Sequence, residues 1–234
     1  MRVIAAVHQD DGGPALFGRL IRELGHELLE WWPQDGPPPD AFDAALVFGG
    51  SMHVDQEDEH PWLRPEGDWI RSLLADDVPT LGVCLGAELV AHAAGWPVVR
   101  LPRSEIGWHD VELTPAAPAD PLLGGAPARF PAFQWHSYAA EPPDGAPVLA
   151  VSEACAQAYR VGERAWGIQF HAEVDSAAIE HWLDDGADGE DVREVGLDIE
   201  AERQRTWREI AAWNDFGRAL CGRFLDVAAA APAA

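Results

Sequence analysis

Lysine is absent from this sequence, and all 16 of its basic residues are arginines. Against them stand 40 aspartates and glutamates, which gives a formal net charge of −24 at pH 7. Nucleic acids and anionic membrane surfaces attract basic proteins, so this balance argues against both as partners. The acidity by itself predicts no particular substrate.

Long hydrophobic runs are also missing. No apolar stretch approaches the roughly 18 residues that a bilayer-spanning helix needs. The N-terminal sequence MRVIAAVHQDD lacks the basic start and the long apolar middle of a secretory signal. We therefore expect a cytoplasmic protein.

Cysteine is scarce, and the three cysteines, Cys84, Cys155 and Cys221, are widely spaced with no CxxC pair. An odd number in this arrangement predicts neither a disulfide framework nor a zinc knuckle.

The sequence contains no P-loop and no GxGxxG motif, so nucleotide binding is not indicated. We predict no cofactor and no metal site.

The order of predicted elements indicates the fold class. Strands and helices alternate as far as Gly95, which predicts an α/β fold with a mainly parallel central sheet and helices on both faces. From Trp96 to Arg164, short extended pieces separated by proline and glycine predict a smaller antiparallel section. The remainder is helical in character and forms a C-terminal tail.

The chain shows no internal repeat and no linker. We predict a single domain over residues 1–228, whose helical C-terminal extension covers about 176–228. The alanine-rich residues 229–234 are expected to form a disordered tail.

One cysteine lies in a distinctive setting, PTLGVCLGAEL, where a predicted strand runs into a glycine-flanked turn and then a helix. This order is typical of a nucleophile elbow, and the N-terminus of the following helix favours a thiolate. Cys84 is therefore a candidate nucleophile. The alternative on this motif alone is a buried packing thiol.

A thiolate needs a base, and His171 lies at the end of the predicted strand WGIQFH with Glu173 two residues on. If the strand continues that far, its alternation sends both side chains to one side, and the carboxylate can orient the imidazole. Alone, this pair could equally be a solvated strand end.

Four segments in order, LVFGGSM, GVCLGAEL, QWHSY and WGIQFHAEV, resemble the motifs of class I glutamine amidotransferases of the Cys-His-Glu type. The resemblance covers essentially the whole chain and is closest to the stand-alone, GMP-synthase-like members. It implies a flavodoxin-like fold with a small-molecule substrate, glutamine.

The resemblance also implies residue roles. Cys84 would attack the amide, His171 would protonate the leaving ammonia and then activate water, and Glu173 would hold His171. Backbone N–H groups of Gly50 and Leu85 would form the oxyanion hole. The implied substrate-binding residues are Gly49, Glu88, Ser137 and Tyr138.

The sequence departs from the family pattern at two positions. Glu88 replaces the usual glutamine one helical turn after the cysteine, and Ser51 replaces a proline that often follows the two glycines. A carboxylate at position 88 would attract the α-ammonium group of glutamine but repel its α-carboxylate.

Other candidate groups are interpreted as structural. The segment HVDQEDEH has metal-ligand residue types but no known ligand spacing, so we expect a solvated loop. His136 is expected to be a hydrogen-bonded pocket-wall residue, and Cys155 and Cys221 to be packing residues. His8 and four further histidines show no partner pattern.

Three functions remain open from the sequence. The first is glutamine hydrolysis, with ammonia passed to a separate synthetase partner. The second is hydrolysis or transfer of γ-glutamyl peptides or amines, for which Glu88 is the reason. The third is a binding or regulatory module that keeps the fold without turnover.

Overall fold

A computed structural model of the chain describes residues 1–187 and 189–231. Nine strands and six α-helices follow one another in these residues: β1 Arg2–Ala6, α1 Ala15–Glu23, β2 Glu27–Trp31, β3 Ala44–Val47, α2 Leu63–Ala75, β4 Thr80–Val83, α3 Leu85–Ala93, β5 Val98–Leu113, β6 Arg129–Ala140, β7 Val148–Val151, β8 Ala156–Val161, β9 Ala165–Ile168, α4 Ser176–Asp185, α5 Glu190–Val195 and α6 Ile199–Ala230.

All nine strands form one sheet in the order β2-β1-β3-β4-β9-β8-β7-β5-β6. The pairs from β2 to β9 are parallel, and those from β9 to β6 are antiparallel. The predicted α/β fold is therefore confirmed. The antiparallel strands continue the parallel sheet edge to edge, and they include its two longest members, β5 and β6.

The parallel half of the sheet places the functional segments. Strands β1, β3, β4 and β9 are fully buried or nearly so, and their short apolar runs suit a sheet covered on both faces. Their carboxyl ends meet at one edge, which is where open α/β sheets bind ligands. The segments that leave this edge contain the glycine loop, Cys84 and His171.

The last helix, α6, packs against the segment that carries His171. The indole N–H of Trp213 donates a hydrogen bond of 3.0 Å to the backbone oxygen of His171. A Cβ on Gly217 would lie 2.1 Å from the backbone oxygen of Ala172, so only glycine permits this close crossing. The C-terminal helix thus holds the backbone of the segment that carries His171.

The helix continues through Ala230, so the expected disorder of the tail is wrong at residues 229 and 230. Alanine has the highest helix propensity, which favours continuation of the helix over fraying. Residues 232–234 of the predicted tail lie outside the described residues. None of the helices in the described part combines the length and the apolar character required to span a bilayer.

Candidate active site

Cys84 lies in the sharp turn between β4 and α3. Its backbone has φ 53° and ψ −113°, a conformation that costs a non-glycine residue about 1–3 kcal/mol. The backbone N–H of Cys84 donates 2.9 Å to the oxygen of Ile168, which ties the turn to β9. The thiol is directed toward the backbone oxygen of Trp135, at 3.7 Å. The structure therefore places Cys84 as a nucleophile elbow would require.

His171 lies beyond the strand that was expected to carry it. Strand β9 ends at Ile168, so the predicted strand alternation does not position His171 and Glu173. A turn does so instead: the His171 Nδ1 and Glu173 Oε1 atoms are 2.7 Å apart. The turn is held by a hydrogen bond of 2.9 Å from the N–H of His171 to the oxygen of Phe133.

The imidazole and the thiol lie side by side against Gly49. A Cβ built on Gly49 would lie 3.1 Å from Cε1 of His171 and 3.9 Å from Sγ of Cys84. Both side chains are almost fully buried, with residue exposures of 3% for His171 and 6% for Cys84. Glycine at this position therefore leaves room for the two reactive groups to meet.

The protonation of His171 follows from its surroundings. Burial lowers its pKa by desolvating the charged ring, but the negative charges of Glu173 and Cys84 outweigh that effect and raise the pKa above its usual value. A charged imidazolium can give a proton to a departing group. The ring beside Cys84 is therefore held as the protonated acid at neutral pH.

Replacing Glu173 by glutamine should lower the pKa of His171, because the main interaction that favours the imidazolium is lost. The imidazolium that would protonate the leaving group is then less populated at neutral pH, and kcat should decrease by roughly 10²- to 10⁴-fold. The value of kcat, followed across pH, measures this change. Glu141→Gln, at an exposed position, is the control. An unchanged kcat with an unchanged pH profile would contradict the role of Glu173 in holding His171.

The glycine loop is fixed by a histidine that the sequence did not single out. His8, just after β1, contacts the backbone oxygen of Gly49 through Nδ1 at 3.2 Å and Glu66 Oε1 through Nε2 at 2.9 Å. Both neighbours are acceptors, so the ring donates from both nitrogens. Burial lowers the pKa of His8, but Glu66 more than compensates and raises it. The only sequence signal was the position of His8 at the edge where the parallel strands end.

The hydrogen bond from His8 to the backbone oxygen of Gly49, which we call the His8 clamp, orients the next peptide N–H. In a trans peptide the C=O and the following N–H point in opposite directions, so the Gly50 N–H faces away from His8. Neither Gly50 nor Leu85 has a backbone N–H bonded within the described residues. Leu85 is the first residue of α3, where free N–H groups are expected. These two donors are available for an oxyanion.

Glu88 lies one helical turn after Cys84 and is 3% exposed. Its Oε1 accepts a hydrogen bond of 3.3 Å from Gln169, while Oε2 has no partner among the described residues. Burial, opposed by the Gln169 hydrogen bond and reinforced by the charge of Asp55, raises the pKa of Glu88 to about 8. At pH 7 the side chain is thus mostly the neutral acid. It can donate a hydrogen bond as the usual glutamine does, which weakens the expected repulsion of an α-carboxylate.

Substitution of Glu88 by glutamine should make stability less dependent on pH. Between pH 4.5 and about 8 the folded state binds the Glu88 proton and the unfolded state does not, so stability falls as pH rises. The rise in the pKa of Glu88 from 4.5 to about 8 corresponds to a loss in the free energy of unfolding of at most roughly 5 kcal/mol over this pH range. In urea unfolding, the free energy of unfolding of Glu88→Gln relative to that of the wild type should rise from about pH 5 to about pH 9. A difference that stays constant with pH would contradict the buried-acid interpretation.

A cavity of about 370 Å³ opens at this edge of the sheet. The predicted site residues that line it are Gly49, Gly50, Cys84, Leu85, Glu88, Ser137 and His171. Glu173 lies behind His171. Tyr138 is not among the lining residues; its ring stacks on His53 at a centroid distance of 4.0 Å, and His53 lines the cavity in its place. The HVDQEDEH loop thus contributes a wall residue that the sequence reasoning assigned to solvent.

His136 is the hydrogen-bonded pocket-wall residue that was expected. Its Nδ1 contacts the backbone oxygen of Tyr138 at 2.9 Å, and its Nε2 contacts Glu105 Oε2 at 3.1 Å. Glu105 and His136 also lie near the sulfur of Cys155, which groups three metal-ligand types. The same Glu105 oxygen accepts hydrogen bonds from Ser152 and Gln157, so the cluster is a closed polar network.

Comparison with known proteins gives consistent results. The protein-family model described as "Glutamine amidotransferase class-I" matches residues 19–187. The glutamine amidotransferase-like protein YfeJ of Salmonella typhimurium is 29% identical over 227 residues, which cover 92% of this chain and 91% of YfeJ. The GMP synthase of Clostridium perfringens is 35% identical over 165 residues, which cover 68% of this chain and 31% of the synthase.

A similar fold occurs among solved structures. The crystal structure of a glutamine amidotransferase from Thermotoga maritima superimposes with a TM-score of 0.86 at 25% identity, covering 97% of this chain and 98% of that one. The resemblance carried by the four sequence motifs is therefore confirmed, and this chain belongs to the class I glutamine amidotransferase family.

Proposed function

We propose that the protein hydrolyses the γ-amide of glutamine with Cys84 as nucleophile, His171 as acid and base, and Glu173 as the residue that orients His171. The observation that carries this proposal is the 2.7 Å contact between His171 Nδ1 and Glu173 Oε1, with the ring lying beside a cysteine in elbow conformation. Few structural roles need a strained cysteine, a buried imidazole and a carboxylate in this order.

In the first half-reaction the Cys84 thiolate attacks the amide carbon and the C–N bond breaks. The imidazolium of His171 transfers its proton to the departing nitrogen, so ammonia leaves and a γ-glutamyl thioester remains. The sulfur no longer carries a charge in this intermediate. One of the two charges that raise the pKa of His171 is thereby lost, and the ring becomes available as a base.

In the second half-reaction neutral His171 removes a proton from water, which attacks the thioester carbon. The C–S bond breaks, glutamate is released, and the thiolate and imidazolium form again. The backbone N–H groups of Gly50 and Leu85 would stabilise the oxyanion in both halves. One such donor lowers the barrier by about 3 to 4 kcal/mol.

The remaining site residues would bind the amino-acid end of glutamine. Ser137 and Glu88 line the cavity, and Gly49 leaves the space for the reacting groups. The backbone of Tyr138 would act in binding, since its ring contacts His53. The likeness to GMP synthases, of which this chain spans about a third, supports transfer of the ammonia to a separate synthetase partner.

A second candidate function is the hydrolysis or transfer of γ-glutamyl peptides or amines through the same thioester. The cavity favours it, because its lining continues past His171 to Trp182 and Asp185, which leaves space for a leaving group larger than ammonia. The thioester chemistry is common to both candidates. They differ only in the group that leaves.

The test is to incubate purified protein with glutamine and to measure glutamate and ammonia together with the mass of the intact protein. We expect equal amounts of both products and, after rapid acid quench, one added γ-glutamyl group that peptide mapping locates on Cys84. Turnover of γ-glutamyl amines but not of glutamine would favour the second candidate. Absence of both products and adduct with either substrate would refute the thioester mechanism.

A further inference from the structure

The side of the cavity next to His171 has a distinctive chemistry. We call it the tryptophan wall and define it by Asp11, Trp135, Trp182 and Asp185, all of which line the cavity. The ring of Trp182 stands edge-on to His171 at a centroid distance of 4.7 Å. The two tryptophans meet edge to face at 6.1 Å. No part of the mechanism proposed above uses this wall.

The two aspartates of the wall are neighbours of Trp182. The indole N–H of Trp182 donates 3.3 Å to the backbone oxygen of Asp11. Asp185 follows Trp182 by three residues on α4, so the two lie on the same face of that helix. An apolar aromatic surface flanked by carboxylates is the combination that accepts an alkyl chain ending in an ammonium group.

The charge of the wall is poorly compensated. The Asp11 carboxylate accepts a hydrogen bond of 2.7 Å from the neutral amide of Gln9 and has no cationic partner among the described residues. Asp185 lies 3.5 Å from His181, and both side chains are largely exposed. No arginine lines the cavity within the described part of the chain, although Arg100 pairs with the lining residue Asp191 at 3.4 Å.

A second observation points to a polar ligand in the same cavity. Glu88 is 3% exposed and lines the cavity, and its Oε2 has no hydrogen-bond partner in the described residues. An unpartnered buried polar atom costs free energy unless a ligand supplies its hydrogen-bond partner. The carboxyl group lies on α3 with Cys84, on the acyl side, and would meet the glutamyl part of a substrate.

Proton transfer decides which part of the substrate meets the tryptophan wall. His171 gives its proton to the leaving nitrogen, so that nitrogen must face His171. A substituent on the nitrogen would therefore extend past His171 to Trp182 and the adjacent carboxylates. Ammonia, the product from glutamine, has no substituent and would leave the wall unused.

We propose that this site also hydrolyses γ-glutamyl amides of diamines, in which the leaving amine carries a second, positively charged amino group that lies at the tryptophan wall, against its rings and beside its carboxylates. The proposal rests on the thioester mechanism proposed above. The C–N bond breaks as the thiolate attacks, His171 protonates the departing diamine, and water then releases glutamate from Cys84. No oxidant, metal or nucleotide is required.

The experiment compares two synthetic substrates, the γ-glutamyl amides of 1,4-diaminobutane and of butylamine, which differ only in the terminal charge. We expect kcat/KM for the diamine amide to exceed that for the butyl amide by about tenfold, the factor expected of two partly exposed carboxylates. The ratio should fall with added salt. Asp11→Asn combined with Asp185→Asn should reduce it to near one, whereas Asp10→Asn, at an exposed neighbouring position, should preserve it.

Binding to the Cys84→Ala variant, measured by calorimetry, separates this proposal from the proposed mechanism. If neither amide nor glutamine is turned over, the mechanism has failed, but tighter binding of the diamine amide than of the butyl amide still supports a cation-binding wall. Equal binding or equal kcat/KM of the two amides would overturn the proposal, even if glutamine is hydrolysed.

Discussion

The Cys84→Ala variant is expected to retain no more than about one ten-thousandth of the wild-type rate of glutamine hydrolysis, because removal of a covalent nucleophile eliminates the acyl-enzyme route. The structure gives no substitute: the cavity lining of the described residues contains no other cysteine. Alanine is smaller than cysteine and introduces no steric clash, so the variant should still fold. The loss of activity should therefore appear in kcat.

The measurement is steady-state glutamate release, with circular dichroism to show that the variant is folded. Cys221→Ala is the matched control, since Cys221 is fully buried in α6 and burial raises its pKa to about 12. That variant should lose some stability and keep its turnover number. A comparable loss of turnover number in both variants, or substantial activity left in Cys84→Ala, would contradict nucleophilic catalysis by Cys84.

The Gly86→Ala variant is expected to fail to fold or to lose more than about 4 kcal/mol of stability, beyond the range of most single substitutions. A Cβ at position 86 would lie 1.8 Å from the backbone oxygen of Val47 and 2.5 Å from its carbonyl carbon. Val47 belongs to β3, which pairs with β1 and β4 in the middle of the sheet, so its backbone cannot move aside. Helix α3 would have to withdraw and take the Cys84 turn with it.

Denaturant unfolding and the soluble yield measure this effect. Gly222→Ala is the control: position 222 lies in α6, and a Cβ there meets no atom within 4 Å. Alanine is favoured over glycine inside a helix, so that variant should gain about 0.5–1 kcal/mol. A Gly86→Ala protein as stable as the wild type would show that α3 does not approach β3 as closely as described.

Glu88 shows the limit of inference from residue type. In the sequence it is an acidic residue at a position where the family has glutamine, and a charge was the natural expectation. Its ionisation depends on desolvation and on Gln169, which is 81 residues away in the sequence. Only the packed structure defines that environment, and there the neutral acid resembles the glutamine it replaces.

The residues that hold the glycine loop also could not be predicted from the sequence. The two glycines were recognisable, but the groups that hold them were not, because His8 and Glu66 are separated by 58 residues and neither belongs to a motif. His171 and Glu173 were predicted to pair through strand alternation, and in the structure a turn beyond β9 brings them together. The predicted pairing and the structure agree on the partners and differ in the backbone that positions them.

The sequence by itself determined the features that depend on neighbouring residues: the alternating elements, the glycine-flanked turn around Cys84 and the proximity of His171 to Glu173. These follow from local backbone geometry and the periodicity of buried side chains, which each short segment carries within itself. The tertiary structure decided the features that depend on burial and on distant partners: the His8 clamp, the protonation of Glu88, the place of His53 in the cavity lining and the tryptophan wall. Desolvation and contact distances arise only when distant segments pack, so no single stretch of the chain contains them.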